Sequence, residues 1–126
     1  MVLKRYAQII GVVLILVGLV GLVLGNELFL GILNIDIVED IAHLLTGGLY
    51  SYVGFGRTDL ATARNVVLAL GVIYLVIGIL GFVVPMVFGL IPHGYTVFDD
   101  LLHLALGVLS LALALFAPGR ALATQR

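Results

Sequence analysis

The chain has 126 residues and no cysteine; 63% of its residues are hydrophobic, 10% are charged, and the formal net charge is −1. This apolar share is well above that of an ordinary soluble domain, so the composition predicts a single membrane domain over residues 1–126. The lack of cysteine excludes disulfides and thiolate-ligated zinc or iron–sulfur centres, and the lack of a basic patch argues against nucleic-acid binding.

Four long apolar segments run through the sequence, at about 7–24, 37–55, 66–84 and 97–116. Each is close to the ~20 residues that cross a hydrocarbon core of about 30 Å. None alternates between apolar and polar residues, and lipid cannot satisfy free backbone groups, so each segment predicts a helix. The short connections predict an all-α integral membrane fold, with four transmembrane helices in an antiparallel up-down bundle.

The first predicted helix follows Lys4 and Arg5. Its apolar run is too long for a signal peptide and no small-residue cleavage site follows, so we interpret it as a retained helix. Its glycines recur 60 positions later in the third predicted helix, as the pairs Gly11 and Gly71, Gly18 and Gly78, and Gly21 and Gly81. Small residues let membrane helices approach closely, so these glycines predict helix contacts.

The second predicted helix opens with polar residues of two kinds. Asp36 followed by Glu39 fits a capping box, and acids in a first turn also complement the helix dipole, so we assign both to the helix cap. Asp40 and His43 lie deeper, on one helix face. A carboxylate at the membrane centre costs roughly 2.5–3.5 kcal/mol. That cost is smaller near the membrane surface and falls further when polar groups bind one another. The pair therefore predicts a hydrogen-bonded polar layer in the third of the bundle nearest the outer surface.

The third predicted helix carries one polar residue midway along its span, Tyr74, where the first helix has Leu14. Most membrane tyrosines lie at an interface, and a central one needs a hydrogen-bond partner or a polar cavity. We therefore include Tyr74 in the candidate polar site.

The fourth predicted helix repeats the pattern of the second. Thr96 and Asp99 fit a second cap, and Asp100 and His103 follow at the same spacing as the earlier acid and histidine. Together with the glycines, this match predicts a tandem duplication, with repeat 1 at about 6–60 and repeat 2 at about 66–119. Because each repeat contains two spans, we expect parallel repeats related by an axis along the membrane normal.

Charged residues are segregated along the predicted spans. All six basic residues fall at one end: Lys4, Arg5, Arg57, Arg64, Arg120 and Arg126. Six of the seven acids fall at the other end, and Asp59 is the exception. The positive-inside rule then predicts cytoplasmic N- and C-termini and outward loops at 25–36 and 85–96. Both outer loops are apolar, so we expect them at the interface or folded over the bundle's outer end.

Four interpretations of the core formed by Asp40, His43, Asp100 and His103 remain open. Two Asp–His pairs could simply join the second and fourth helices to the first and third. The two histidines with neighbouring carboxylates could hold a divalent metal, as carboxylate-x-x-His motifs do in di-iron bundles. They could instead ligate haem or chlorophyll axially, or relay protons or ions. Rings that converge with carboxylates would favour a site, and rings directed to different helix pairs would favour packing.

The motif Asp-x-x-His-Leu-x-x-Gly occurs twice, at residues 40–47 and 100–107. On this motif, and over nearly its whole length, the chain resembles a bacterial family of small four-helix membrane proteins classed as a domain of unknown function. The resemblance implies a four-helix fold in a bacterial plasma (inner) membrane, with no assigned activity. The family often has Asn after the Asp, where this chain has Ile41 and Leu101, and that departure favours packing over chemistry.

From the sequence we expect a non-enzymatic, multi-pass membrane protein that acts as a structural or accessory subunit. Its expected partners are the lipid bilayer and other membrane subunits or further copies of itself. No cofactor is predicted; haem, chlorophyll or a divalent metal at His43 and His103 is the alternative, and a proton or ion relay is a further alternative.

Overall fold

The computed structural model of the protein describes residues 1–119. Its four α-helices are α1 (Val2–Leu24), α2 (Ile37–Phe55), α3 (Leu60–Val83) and α4 (Val97–Phe116). A short hairpin of β1 (Glu27–Phe29) and β2 (Leu33–Ile35) joins α1 to α2, and a 3₁₀ turn (Val87–Gly89) lies between α3 and α4. Two of the six basic residues on which the predicted membrane orientation depends, Arg120 and Arg126, lie outside the described residues.

Among the described helices, α1, α3 and α4 are long and apolar enough to cross a membrane. The helical fold is confirmed, and the three long apolar helices are consistent with a membrane protein. α2 is not one of the three, because Glu39, Asp40 and His43 lower the mean hydropathy of its first turns.

Two helices begin earlier than the apolar segments predict. α1 begins at Val2, and α3 begins at Leu60. The polar turn before the third apolar segment is helical because Asp59 caps it, accepting a hydrogen bond from the Thr62 backbone N–H at 2.7 Å. That hydrogen bond also holds the pKa of Asp59 below its usual value. α2 and α4 have the bounds of the second and fourth apolar segments.

The helices form two close antiparallel pairs, α1 with α2 and α3 with α4, and contacts between the pairs are fewer. Glycines make the close approach possible. A Cβ on Gly54 of α2 would lie 2.6 Å from the backbone nitrogen of Gln8, and a Cβ on Gly107 of α4 would lie 2.6 Å from that of Leu75. Backbone atoms cannot move aside, so a larger residue at either position would separate its pair.

Buried hydroxyl groups join the two pairs inside the bundle. Ser110 of α4 shares hydrogen bonds with Tyr6 of α1 at 2.6 Å and with Tyr50 of α2 at 2.7 Å. All three side chains are buried, so each hydroxyl depends on the others for its hydrogen bonds. Tyr74 of α3 is joined to Thr46 of α2 by a hydroxyl hydrogen bond of 2.6 Å.

Two basic side chains cap the end of the bundle at which α2 and α4 terminate. Lys4 donates from Nζ to the carbonyls of Gly56, at 3.1 Å, and Thr58, at 2.6 Å. The guanidinium of Arg64 donates to the Ala114 carbonyl at 2.7 Å and also to the Ala117 carbonyl. These carbonyls lie at or just beyond the C-terminal ends of α2 and α4, where positive charge is favourable.

The hairpin between α1 and α2 folds against the start of α4. The Asn34 backbone N–H donates to the Asp99 carboxylate at 3.0 Å, and the Thr96 hydroxyl donates to the Ile32 carbonyl at 2.5 Å. The second strand of the hairpin therefore lies beside the acid–histidine segment of α4, and Asn34 is buried there.

Candidate functional site

The starts of α2 and α4 have different caps. At α4, Thr96 accepts from the Asp99 backbone N–H at 3.1 Å, and Asp99 Oδ2 accepts from the Thr96 N–H at 2.9 Å, which completes a capping box. At α2, Asp36 accepts from the Glu39 N–H at 2.9 Å. Among the described residues, the Glu39 carboxylate makes no reciprocal bond to the Asp36 backbone.

Glu39, which the sequence assigned to the cap, instead turns its carboxylate toward the two histidines. Asn34 Nδ2 donates to Glu39 Oε2 at 3.0 Å, and this bond orients the group. The other oxygen, Oε1, lies 3.9 Å from His43 Nε2 and 3.7 Å from His103 Nε2. The physical reason is reach: residues four apart on a helix are neighbours, so Glu39 lies beside His43 as readily as it reaches back to the cap.

His43 of α2 and His103 of α4 therefore converge on one carboxylate. One ligand atom from each of Glu39, His43 and His103 lies within 4.8 Å of the other two. Glu39 and His103 are buried and His43 is half-buried. Within residues 1–119, the Nδ1 atoms of both rings are buried and have no hydrogen-bond partner. We call Glu39, His43 and His103 the histidine cluster.

Asp40 and Asp100 do not share the centre of this cluster. The Asp40 carboxylate packs onto Gly21 in the α1–α2 contact, and the Asp100 carboxylate packs onto Gly81 in the α3–α4 contact; a methyl group on either glycine would overlap the acid. Both acids are buried, and Asp100 Oδ1 has no partner in the described part of the chain. The structure thus divides the four residues grouped by sequence, joining the histidines and leaving each aspartate within its own helix pair.

Two tyrosines lie against His103. The Tyr74 ring centroid is 5.8 Å from that of His103, and the Tyr95 ring meets the histidine edge-on at 4.9 Å. Tyr95 belongs to the loop before α4, and burial, together with the nearby carboxylates of Glu39, Asp36 and Asp99, raises its pKa. The third histidine, His93, is exposed in the same loop and is not part of the cluster.

Asn34 and Tyr95 are the site residues that sequence reasoning missed. Asn34 was detectable as the one amide within an otherwise apolar stretch that leads to a helix cap. Tyr95 gave no comparable signal, because a tyrosine next to a helix start is ordinary at a membrane interface.

The histidine cluster forms the polar end of an apolar cleft of about 600 Å³ between α1 and α4. The cleft walls are aliphatic side chains of these two helices, with residues of the hairpin beside them. The polar residues that line it are Asn34, Glu39, Asp40, His43, Tyr74, Asp99 and His103. Among residues 1–119, its lining contains three carboxyl groups and neither lysine nor arginine.

No family model, curated protein or solved structure matches this chain.

Proposed function

We propose that the protein is a membrane-embedded helix bundle that binds a divalent metal ion, zinc, with Glu39, His43 and His103. The observation that carries the proposal is the convergence of both imidazole Nε2 atoms on one glutamate oxygen, at 3.9 and 3.7 Å. Two imidazoles and one carboxylate form a donor set that zinc uses in sites that keep one position open.

The spacing of the donor atoms suits a tetrahedral ion. With metal–ligand bonds of about 2.1 Å, tetrahedral donors are roughly 3.4 Å apart. The two His–Glu distances are within half an ångström of that separation, so small side-chain movements would bring all three atoms into bonding distance. Asn34 supports the site by holding the second oxygen of Glu39, which is the usual task of a residue behind a metal ligand.

The same geometry gives less support to the other interpretations. Packing alone predicts rings directed to different helix pairs, whereas these rings converge. A haem or chlorophyll ligated by both histidines would have to lie between the two rings, and the Glu39 carboxylate occupies that space. A relay needs a continuous path, and no hydrogen bond in the described residues joins the histidine cluster to the Tyr6–Ser110–Tyr50 group. A bound ion would also link α2 to α4, so metal binding includes the structural role expected from the sequence.

All four helices cross the membrane in this proposal. α2 has 19 residues, about 28 Å of helix, and it contacts α1 from Gln8, near one end, to Gly21, near the other. A helix packed along the full length of a spanning partner shares its depth. Enclosing the polar residues of α2 between α1 and α4 lowers their cost in lipid.

Corresponding contacts 60 residues apart support two parallel repeats. Asp40 packs on Gly21 as Asp100 packs on Gly81. Lys4 reaches the end of α2 as Arg64 reaches the end of α4. Their shared end of the bundle carries the basic residues, which supports cytoplasmic termini in a bacterial plasma membrane, the location that the family resemblance implies.

Zinc binding is tested by measuring metal content after equilibrium dialysis of the detergent-solubilised full chain against zinc. We expect one zinc per chain in the wild type, and loss of it in Glu39→Gln and in His103→Ala. His93→Ala is the matched control, because His93 is exposed and outside the cluster, and it should retain the metal.

A wild type without stoichiometric zinc contradicts the proposal, as does a His93→Ala variant that loses the metal together with Glu39→Gln. Circular dichroism of each variant reports helix content, so that loss of the site is separated from loss of the fold.

A further inference from the structure

The cleft between α1 and α4 is unusual within the bundle because it has one polar end and a long apolar body. Its walls come from Val13, Val17 and Val20 of α1 and from Leu102, Leu106 and Leu109 of α4. The helix pairs are tightly packed internally, and this cleft lies where contact between the pairs is sparse. Its polar end holds the histidine cluster.

The size of the cleft suits one chain and a small head group. Its volume of about 600 Å³ lies within the ~300–1,000 Å³ of small-molecule sites. At about 30 Å³ for a water-sized group, this volume holds roughly 20 non-hydrogen atoms. A two-chain phospholipid is far larger, so the cleft has room for one chain.

The polar end of the cleft contains side chains whose hydrogen bonds are incomplete. The Nδ1 atoms of His43 and His103 and the side-chain oxygen of Asn34 are buried without partners in the described residues, and all three residues line the cleft. Buried polar atoms are costly unless they are paired. A polar head placed at this end therefore lies among polar side chains, whereas the aliphatic walls of the cleft offer it no hydrogen-bonding group.

The charges that line the cleft restrict the head group further. Glu39, Asp40 and Asp99 disfavour an anionic head even when a divalent ion is bound, because three carboxylates outnumber its two positive charges, and within residues 1–119 the lining has no lysine or arginine. A cationic head is disfavoured by a metal ion at the same end, and this step rests on the proposed function. An uncharged hydroxyl satisfies both restrictions, and its oxygen can occupy the open position of the ion.

We infer that the cleft binds a single-chain neutral lipid with a hydroxyl head, with the chain between α1 and α4 and the oxygen at the histidine cluster. Such a ligand would enter from the membrane, since side chains on the cleft wall such as Val17 and Leu109 are not covered by the rest of the described chain.

The test uses three photoreactive probes with the same diazirine-bearing hexadecyl chain: an alcohol, a carboxylate and a trimethylammonium. Each is added to the zinc-loaded full chain in lipid nanodiscs, and labelled residues are mapped by mass spectrometry. We expect the alcohol to label the cleft walls about tenfold more than either charged probe, which corresponds to ~1.4 kcal/mol of discrimination.

Two bulky substitutions on α1 provide the matched control. Val17→Trp fills the cleft and should abolish the labelling by the alcohol. Leu19→Trp adds the same bulk to a neighbouring exposed residue that does not line the cleft, and it should leave labelling unchanged. Leu109→Trp, on the opposite wall, should reproduce the loss and guards against a folding defect confined to α1.

Equal labelling by all three probes, or labelling that survives both tryptophans in the cleft, means that ordinary lipid fills it and overturns the inference. Zinc content measured in the same samples separates the two proposals. Zinc retained without selective labelling overturns only the lipid site. Selective labelling of a protein that binds no zinc contradicts only the metal site.

Discussion

The acid–histidine segments at the starts of α2 and α4 share the motif Asp-x-x-His-Leu-x-x-Gly, but their leading acids make different contacts. In each, the inner aspartate packs on a glycine of the partner helix. The leading acids diverge: Asp99 stays in its capping box, whereas Glu39 reaches two histidines. A difference of one methylene, together with Asn34 beside it, converts a helix cap into a potential ligand. Two segments with the same motif therefore share a packing contact, while only one of them directs its leading acid toward the histidines.

We expect the largest losses of stability, equal in the two helix pairs, from mutations at the contact between each inner aspartate and its glycine. Gly21→Val and Gly81→Val each force a side chain into a buried carboxylate, so each should destabilise the protein by about 1–3 kcal/mol or more. The midpoint of thermal unfolding in detergent measures this. If one variant unfolds like the wild type, the two aspartate contacts are not equivalent. Gly48→Val is the control, because nothing lies near a Cβ at that position.

Asn34 precedes the acid–histidine segment of α2 and orients Glu39. Its removal should weaken the metal site. Asn34→Leu leaves Glu39 without the hydrogen bond that orients it, and loss of such support typically costs 10–100-fold in metal affinity, so we expect a loss of about that size. Competition against a chelator of known affinity measures it. Unchanged zinc affinity would show that Glu39 is oriented without Asn34.

The smallest effect is expected at Asp99, which sharpens the contrast with Glu39. Asp99→Asn weakens the capping box and the bond from the Asn34 backbone, at a cost of about 1 kcal/mol in stability. Zinc binding should persist, because Asp99 is outside the histidine cluster. Loss of zinc in Asp99→Asn with retention in Glu39→Gln would reverse the roles assigned to the two acids.

The sequence contained the information for the helices but not for their relative rotation. Apolar length and the caps at Asp36 and Thr96 were sufficient to delimit α2 and α4, because both are local properties. The early start of α3 was missed, since apolar length says nothing about a polar turn capped by Asp59.

The histidine cluster depends on how two helix pairs meet, which no local pattern specifies. Sequence spacing grouped Asp40 with His43 at three residues, yet four-residue spacing places Glu39 equally near. Only the rotation of α2 against α4 selects between them. That rotation in turn depends on contacts such as the Tyr6–Ser110–Tyr50 hydrogen bonds, whose partners are far apart in the chain.

X-ray absorption at the zinc edge of the loaded, full-length protein tests the central claim most directly. We predict two imidazole nitrogens at about 2.0–2.1 Å and carboxylate oxygen at about 2.0–2.2 Å in the wild type, and loss of the bound-zinc signal in His103→Ala. A spectrum of oxygen ligands alone, or one that His103→Ala leaves unchanged, would contradict the convergence of α2 and α4 on a shared ion.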